Sequence, residues 1–138
     1  MKITLLGAGA WGTALAIAFA GKHAVTLWSR EADVAAELLA CRENRRFFPG
    51  YRLPDSVSVT TDFATAVADA ELLVVATPIA GLRPTAERLK AQGCVTPLLW
   101  VCKGFEAGSG KLPHQVVGEV LGDAVRCGAL SGPSFAEE

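Results

Sequence analysis

The chain has almost no net charge: −1 over 138 residues, 13 Lys and Arg against 14 Asp and Glu. That leaves no field to draw in nucleic acid or an anionic membrane surface, so any phosphate ligand must be held by local groups. Paired cysteine is also missing. Cys41, Cys94, Cys102 and Cys127 form no C-x-x-C and make no metal-ligand spacing with His23 or His114. No metal site is expected, and buried thiols in a reducing compartment are the plainer reading. Repeats, low-complexity tracts and interdomain linkers are absent as well. What remains has the length of one domain. Its 51 % hydrophobic content suits a sheet covered on both faces.

The first twenty residues carry the strongest pattern. An apolar strand, Lys2-Ile3-Thr4-Leu5-Leu6, runs into Gly7-Ala8-Gly9-Ala10-Trp11-Gly12 and then into a helix-prone stretch. A G-x-G-x-x-G between strand and helix is the context in which the glycines mean dinucleotide binding. Gly7 permits the tight turn, Gly9 lets a pyrophosphate approach the backbone, and Gly12 lets the helix pack on the strand. The phosphates then sit at the helix N-terminus, where unpaired N–H groups and the positive dipole end favour an anion. The same stretch imitates a secretory signal ending Ala18-Phe19-Ala20. The glycines interrupt the apolar run that such a signal needs, and the run leads into a second strand instead of a polar flank. A cytoplasmic start with no membrane span is the expectation.

Strand and helix patterns then alternate. Strands are expected at 3–6, 24–28, 57–60, 72–76, 98–102 and 126–130. Helices are expected at 12–20, 32–42, 63–69, 82–92 and 114–121. Val34, Leu38 and Leu39 are the apolar positions of the second helix. Asp62 is a candidate N-cap, and Pro84 fits a first helical turn. The segment 44–55, with Pro49, Gly50 and Pro54, reads as irregular. Alternating β and α implies an α/β fold: a doubly wound, mostly parallel sheet (Rossmann), helices on both faces, strand order 3-2-1-4-5-6.

Ligands in such a sheet lie beyond the carboxyl ends of the strands. The candidates are therefore residues 7–12, Ser29-Arg30, Thr77-Pro78, Lys103-Gly104 and 131–134. A NAD-specific domain usually ends its second strand on an acid for the ribose 2′-OH. Here Ser29 and Arg30 stand there and favour NADP, with Arg30 as the forked donor to a 2′-phosphate. Glu31 keeps the alternative open, as an acid displaced by a residue or two. Lys103 follows a buried strand and is placed to contact a cofactor or a phosphorylated substrate. The bland reading is a lysine snorkelling from the sheet rim. Two decoys fail. Residues 104–112 brush against a phosphate loop, but the first glycine is misplaced and Leu112 stands where a Mg²⁺-binding hydroxyl is required. Ser109 lacks the frame and the base of a hydrolase nucleophile.

Together these residues resemble the N-terminal cofactor-binding domain of NAD(P)-dependent glycerol-3-phosphate dehydrogenase of the bacterial type. The likeness rests on residues 7–16, on Leu27-Trp28-Ser29-Arg30, on Lys103-Gly104-Phe105-Glu106 and on Leu130-Ser131-Gly132-Pro133-Ser134-Phe135-Ala136. Residues 44–54 also resemble that family's asparagine-to-Leu-Pro loop. The resemblance covers essentially all of residues 1–138. It implies reversible hydride transfer between sn-glycerol 3-phosphate and dihydroxyacetone phosphate with NADPH or NADH, supplying phospholipid synthesis.

Residue by residue, the resemblance implies that Ala10 and Trp11 line the pyrophosphate turn and that Arg30 meets the adenosine ribose or its phosphate. It implies that Lys103 touches cofactor and substrate, that Gly132 and Ser134 contact glycerol phosphate, and that Ala136 contacts the cofactor. No catalytic residue is assigned within the chain. The family's general-base lysine, in a helical second domain, is expected beyond residue 138. The full-length protein leaves room for a homodimer. Two rivals stay open: the same half of a hydroxy-acid or ketopantoate-type reductase, and a non-enzymatic sensor of NAD(P).

Overall fold

A computed structural model describes residues 1–131. Its first strand, β1 (Lys2–Leu6), is apolar on both faces because it lies inside the sheet. There follow α1 (Ala10–Phe19), β2 (Ala24–Trp28), α2 (Ala32–Cys41), β3 (Glu43–Asn44), β4 (Phe48–Arg52) and β5 (Ser58–Thr60). Then come α3 (Phe63–Ala68), β6 (Leu72–Val75), α4 (Ile79–Ala91), β7 (Leu98–Trp100), α5 (Pro113–Leu121) and β8 (Cys127–Ala129). Six strands pair in parallel in the order β5-β2-β1-β6-β7-β8. Leaving out β3 and β4, this is the expected 3-2-1-4-5-6. The chain moves outward from β1 to β2 and β5, then crosses back to β6, so the order reverses between β1 and β6.

Alternation along the strands sorts the core into two layers. Ile3, Leu5, Val25, Leu27 and Val74 pack with Ala16 of α1 and with Val34 and Leu38 of α2. Leu6, Trp28, Leu73 and Val75 face the other way, onto Phe63 of α3, Leu82 and Leu89 of α4 and Val116 of α5. A leucine buried as completely as Leu5 or Leu73 stabilises the fold by about 1.5–3 kcal/mol. Thr4 is polar within this apolar strand. Its hydroxyl is satisfied by donating to the Ala66 carbonyl of α3 at 2.7 Å. Asp62 caps α3 as expected, accepting the Thr65 N–H at 3.3 Å and the Thr65 hydroxyl at 2.9 Å.

Several boundaries and burial expectations are corrected. α1 begins at Ala10 with Gly9 as its N-cap, not at Gly12, because the glycine turn itself winds into the first helical turn. α2 stops at Cys41. Arg42 follows in a left-handed conformation, φ 53°, and its guanidinium donates to the Val57 carbonyl at 2.8 Å. α4 begins at Ile79, so Pro84 lies beyond its first turn and removes one intrahelical bond. The segment expected to be irregular contains an antiparallel pair, β3 with β4. β4 pairs along one edge only, where Pro49 is tolerated. The thiols are free and none is fully buried: Cys41 and Cys127 are exposed, while Cys94 and Cys102 are partly buried against the core. Cys41 ends α2, and Cys127 begins the edge strand β8. Leu39 is exposed too. Among the described residues no helix is long and apolar enough to cross a membrane, and no cluster of His, Cys, Asp and Glu is arranged to hold a metal ion.

Candidate functional site

The carboxyl ends of β1, β2, β6 and β7 open on one cleft of about 760 Å³, lined by residues 7–11, 28–31, 76–81 and 101–103. It spans the reversal point between β1 and β6, where a doubly wound sheet binds its ligand. The strand ends singled out in the sequence meet here, apart from the last. Gly132, Ser134 and Ala136 lie outside the described residues.

Within the turn the three glycines do different work. A Cβ on Gly7, whose φ is +126°, would stand 2.6 Å from the Ala76 carbonyl oxygen, and one on Gly12 would stand 1.8 Å from the Gly7 carbonyl oxygen. These two glycines let α1, β1 and β6 close on each other. Around the place of a Gly9 Cβ nothing lies within 4 Å. That position leaves open space in the wall of the cleft. The first helical bond of α1 runs from the Thr13 N–H to the Gly9 carbonyl at 3.1 Å. The N–H groups before it have no intrahelical partner and form the positive end of the helix. Ala10 and Trp11 line the cleft at this end, and Trp11 is exposed.

At the end of β2, Ser29 is buried. Its hydroxyl donates to the Glu31 carbonyl at 3.0 Å and accepts the Glu31 N–H at 3.1 Å, so it is engaged in the turn. Glu31, the open alternative for ribose recognition, pairs with Arg46 at 2.9 Å. Arg30 is exposed on the cleft wall, and Arg88 of α4, also on that wall, holds its guanidinium 5.2 Å from the centre of the Trp28 ring.

Lys103 stands on the far wall with Cys102. Burial pushes the Cys102 thiol up to about 11, so it stays protonated near neutrality and is no nucleophile. The loop after Lys103 is held by charge. Arg83 of α4 forks onto Glu106 at 2.8 and 2.9 Å and reaches Glu119 of α5 at 3.1 Å. Ser109 donates to Glu106 at 2.6 Å, and Lys111 pairs with Glu119. The Arg83 guanidinium, then the Ser109 hydroxyl, hold the Glu106 carboxyl at about 2. On the cleft wall between the turn and this loop, the Thr77 hydroxyl is buried with no partner among the described residues.

Sequence reasoning missed several parts of this site, Arg88 on the cleft wall among them. Phe47, on the β3–β4 connection, lines the cleft. Asn44 reaches from β3 to the glycine turn, its Nδ2 donating to the Ala8 carbonyl at 2.8 Å. The one signal for Phe47 or Asn44 was the likeness of residues 44–54 to a family loop.

The model of the N-terminus of NAD-dependent glycerol-3-phosphate dehydrogenase matches residues 2–138. A glycerol-3-phosphate dehydrogenase (NAD(P)+) of Dechloromonas aromatica is 79 % identical over 138 residues, which is all of this chain and 42 % of the relative. One from Aromatoleum aromaticum is 53 % identical over the same share of each. The crystal structure of glycerol-3-phosphate dehydrogenase from Coxiella burnetii has a TM-score of 0.88 at 34 % identity, covering 97 % of this chain and 41 % of that one. The chain thus spans 42 % of the length of the curated relatives it matches.

Proposed function

This chain belongs to the NAD-dependent glycerol-3-phosphate dehydrogenase family, whose N-terminal model it matches over residues 2–138, and from that premise we propose that it is the NAD(P)-binding domain of an oxidoreductase. The whole enzyme interconverts sn-glycerol 3-phosphate and dihydroxyacetone phosphate in the cytoplasm and feeds glycerophospholipid synthesis. The open space at Gly9, in front of the unpaired N–H groups of α1, carries the reading. It has the shape and polarity that a pyrophosphate needs. The unpartnered Thr77 hydroxyl on the same wall is a further polar group for a ligand to meet.

In this reading Gly7 and Gly12 shape the turn, and Gly9, Ala10 and Trp11 present its N–H groups to the pyrophosphate. Arg30 meets the 2′-phosphate of NADPH, the preferred cofactor, because Glu31 is held by Arg46. Lys103 holds cofactor and substrate phosphate as a cation. Gly132 and Ser134 are assigned to the substrate and Ala136 to the cofactor on family resemblance alone. The bound nicotinamide supplies the hydride donor or acceptor. A lysine that must stay cationic to hold phosphate is poorly suited to cycling a proton, so the general base is placed outside residues 1–138.

Calorimetry with NADPH tests the site. Gly9→Val fills the open space, so affinity falls about a hundredfold, close to 2.7 kcal/mol, while the unfolding midpoint stays near the parent's. A Gly9→Val chain that binds as tightly as the parent means the phosphates do not sit at this turn. Arg30→Ala removes a charge-assisted contact worth roughly 1.5–3 kcal/mol from NADPH binding and much less from NADH binding. Equal losses for both cofactors mean that Arg30 does not read the 2′-phosphate.

A further inference from the structure

We propose that Asn44 is a positioning residue for the phosphate turn, setting the direction of the Gly9 N–H by holding the carbonyl of Ala8. The inference rests on the cofactor reading above. Asn44 is 2 % exposed, and both its amide nitrogen and its amide oxygen are hydrogen-bonded. Nδ2 donates to the Ala8 carbonyl and to Thr13 Oγ1, both at 2.8 Å, and Oδ1 accepts the Phe47 N–H at 3.1 Å. Reversing the amide sets Oδ1 against the Ala8 carbonyl and the NH₂ against the Phe47 N–H, so its orientation is fixed by its neighbours.

Ala8 is the second residue of the G-x-G-x-x-G turn. The peptide joining it to Gly9 is planar and trans, with its C=O and N–H on opposite sides. Asn44 is not part of the cleft wall, whereas Ala8 and Gly9 are. It grips the carbonyl from behind the turn and leaves the Gly9 N–H on the side of the cleft. Without that grip the peptide can rotate and present its carbonyl oxygen to an anion. A donor fixed before the ligand arrives loses less freedom on binding. Thr13 ties the same amide to α1, since its own N–H already bonds the Gly9 carbonyl. Turn, helix and hairpin therefore meet at one side chain.

Loss of a buried amide that only supported the fold would lower stability and weaken every ligand alike. Loss of a positioning amide weakens ligands that carry the pyrophosphate. The test compares NADPH with adenosine 2′-monophosphate, which has the adenosine end and no pyrophosphate, at temperatures well below each variant's unfolding midpoint. Asn44→Ala is expected to weaken NADPH about tenfold, the equivalent of one hydrogen bond of roughly 1.4 kcal/mol, and adenosine 2′-monophosphate by less than about threefold. Thr13→Val, which removes one acceptor of the same amide, weakens NADPH less, and Thr13→Ser binds like the parent. A folded Asn44→Ala that binds NADPH like the parent overturns the role, as does one that loses both ligands equally. If Asn44→Ala does not fold, equal NADPH affinity of Thr13→Val and Thr13→Ser overturns it. A parent chain that binds no dinucleotide sinks the cofactor reading itself. A parent that binds beside insensitive variants sinks only the role of Asn44.

Discussion

Across the cleft, the turn at residues 7–12 is held by neutral, steric contacts: two glycines against carbonyl oxygens and a buried amide on the Ala8 carbonyl. The loop that follows Lys103 is held by charge, through Arg83, Glu106, Glu119 and Lys111. Contacts of the first kind do not titrate and are not screened. Those of the second kind are weakened by acid and by salt. The difference suits what each side is proposed to hold. An anion cradle made of backbone donors works best when it cannot move. The lysine proposed to meet both cofactor and substrate precedes a loop whose anchors are side chains and can yield.

The largest break in this comparison comes from Gly12→Ala. On a helix this change ordinarily stabilises by about 1 kcal/mol. Here the new Cβ would stand 1.8 Å from the Gly7 carbonyl oxygen, and backbone cannot step aside as a flexible side chain can. Overpacking costs about 1–3 kcal/mol and sometimes more, so the clash decides the sign and the variant is less stable. Urea denaturation should show a lower midpoint at unchanged slope. The loss should be as large in about 1 M salt, where the Debye length is about 3 Å. A variant as stable as the parent shows that α1 and β1 are not pressed together at Gly12.

The same contrast explains what was legible in the sequence. The turn is local, with all its glycines within six consecutive positions, and steric demand writes itself into residue type. Strand order followed from the alternation of apolar runs, since a right-handed crossover leaves few topologies to choose among. The β3–β4 pair was missed because two short strands containing Pro49 and Gly50 carry no period to read. Asn44 was missed as a support of the turn because Ala8 lies 36 positions away. Arg83 and Glu106 are 23 positions apart, and neither differs in composition from an ordinary solvated charge. Contacts that the fold creates between distant polar residues leave no local signature.

The smaller break is Glu106→Gln, which keeps the shape of the side chain and removes its charge. Side-chain exposures of 25 % for Arg83 and 15 % for Glu106 place the pair near the surface, so its effect on overall stability is well below that of Gly12→Ala. Amide hydrogen exchange across residues 104–111 should rise more than exchange in the sheet, and salt should narrow the gap between variant and parent. Acid should narrow it as well. Arg83 and Ser109 hold the Glu106 carboxyl at about 2, below its ordinary 4.5. Between those values the unfolded chain takes up a proton that the folded chain refuses. The stabilisation is therefore complete above about pH 4.5, falls as the pH drops, and is gone below about pH 2. The difference between parent and Glu106→Gln should stay constant from neutral pH down to about pH 5 and close across that window. A difference that persists at pH 2, or is missing at neutral pH, means that packing and not the Arg83 pair holds the loop behind Lys103.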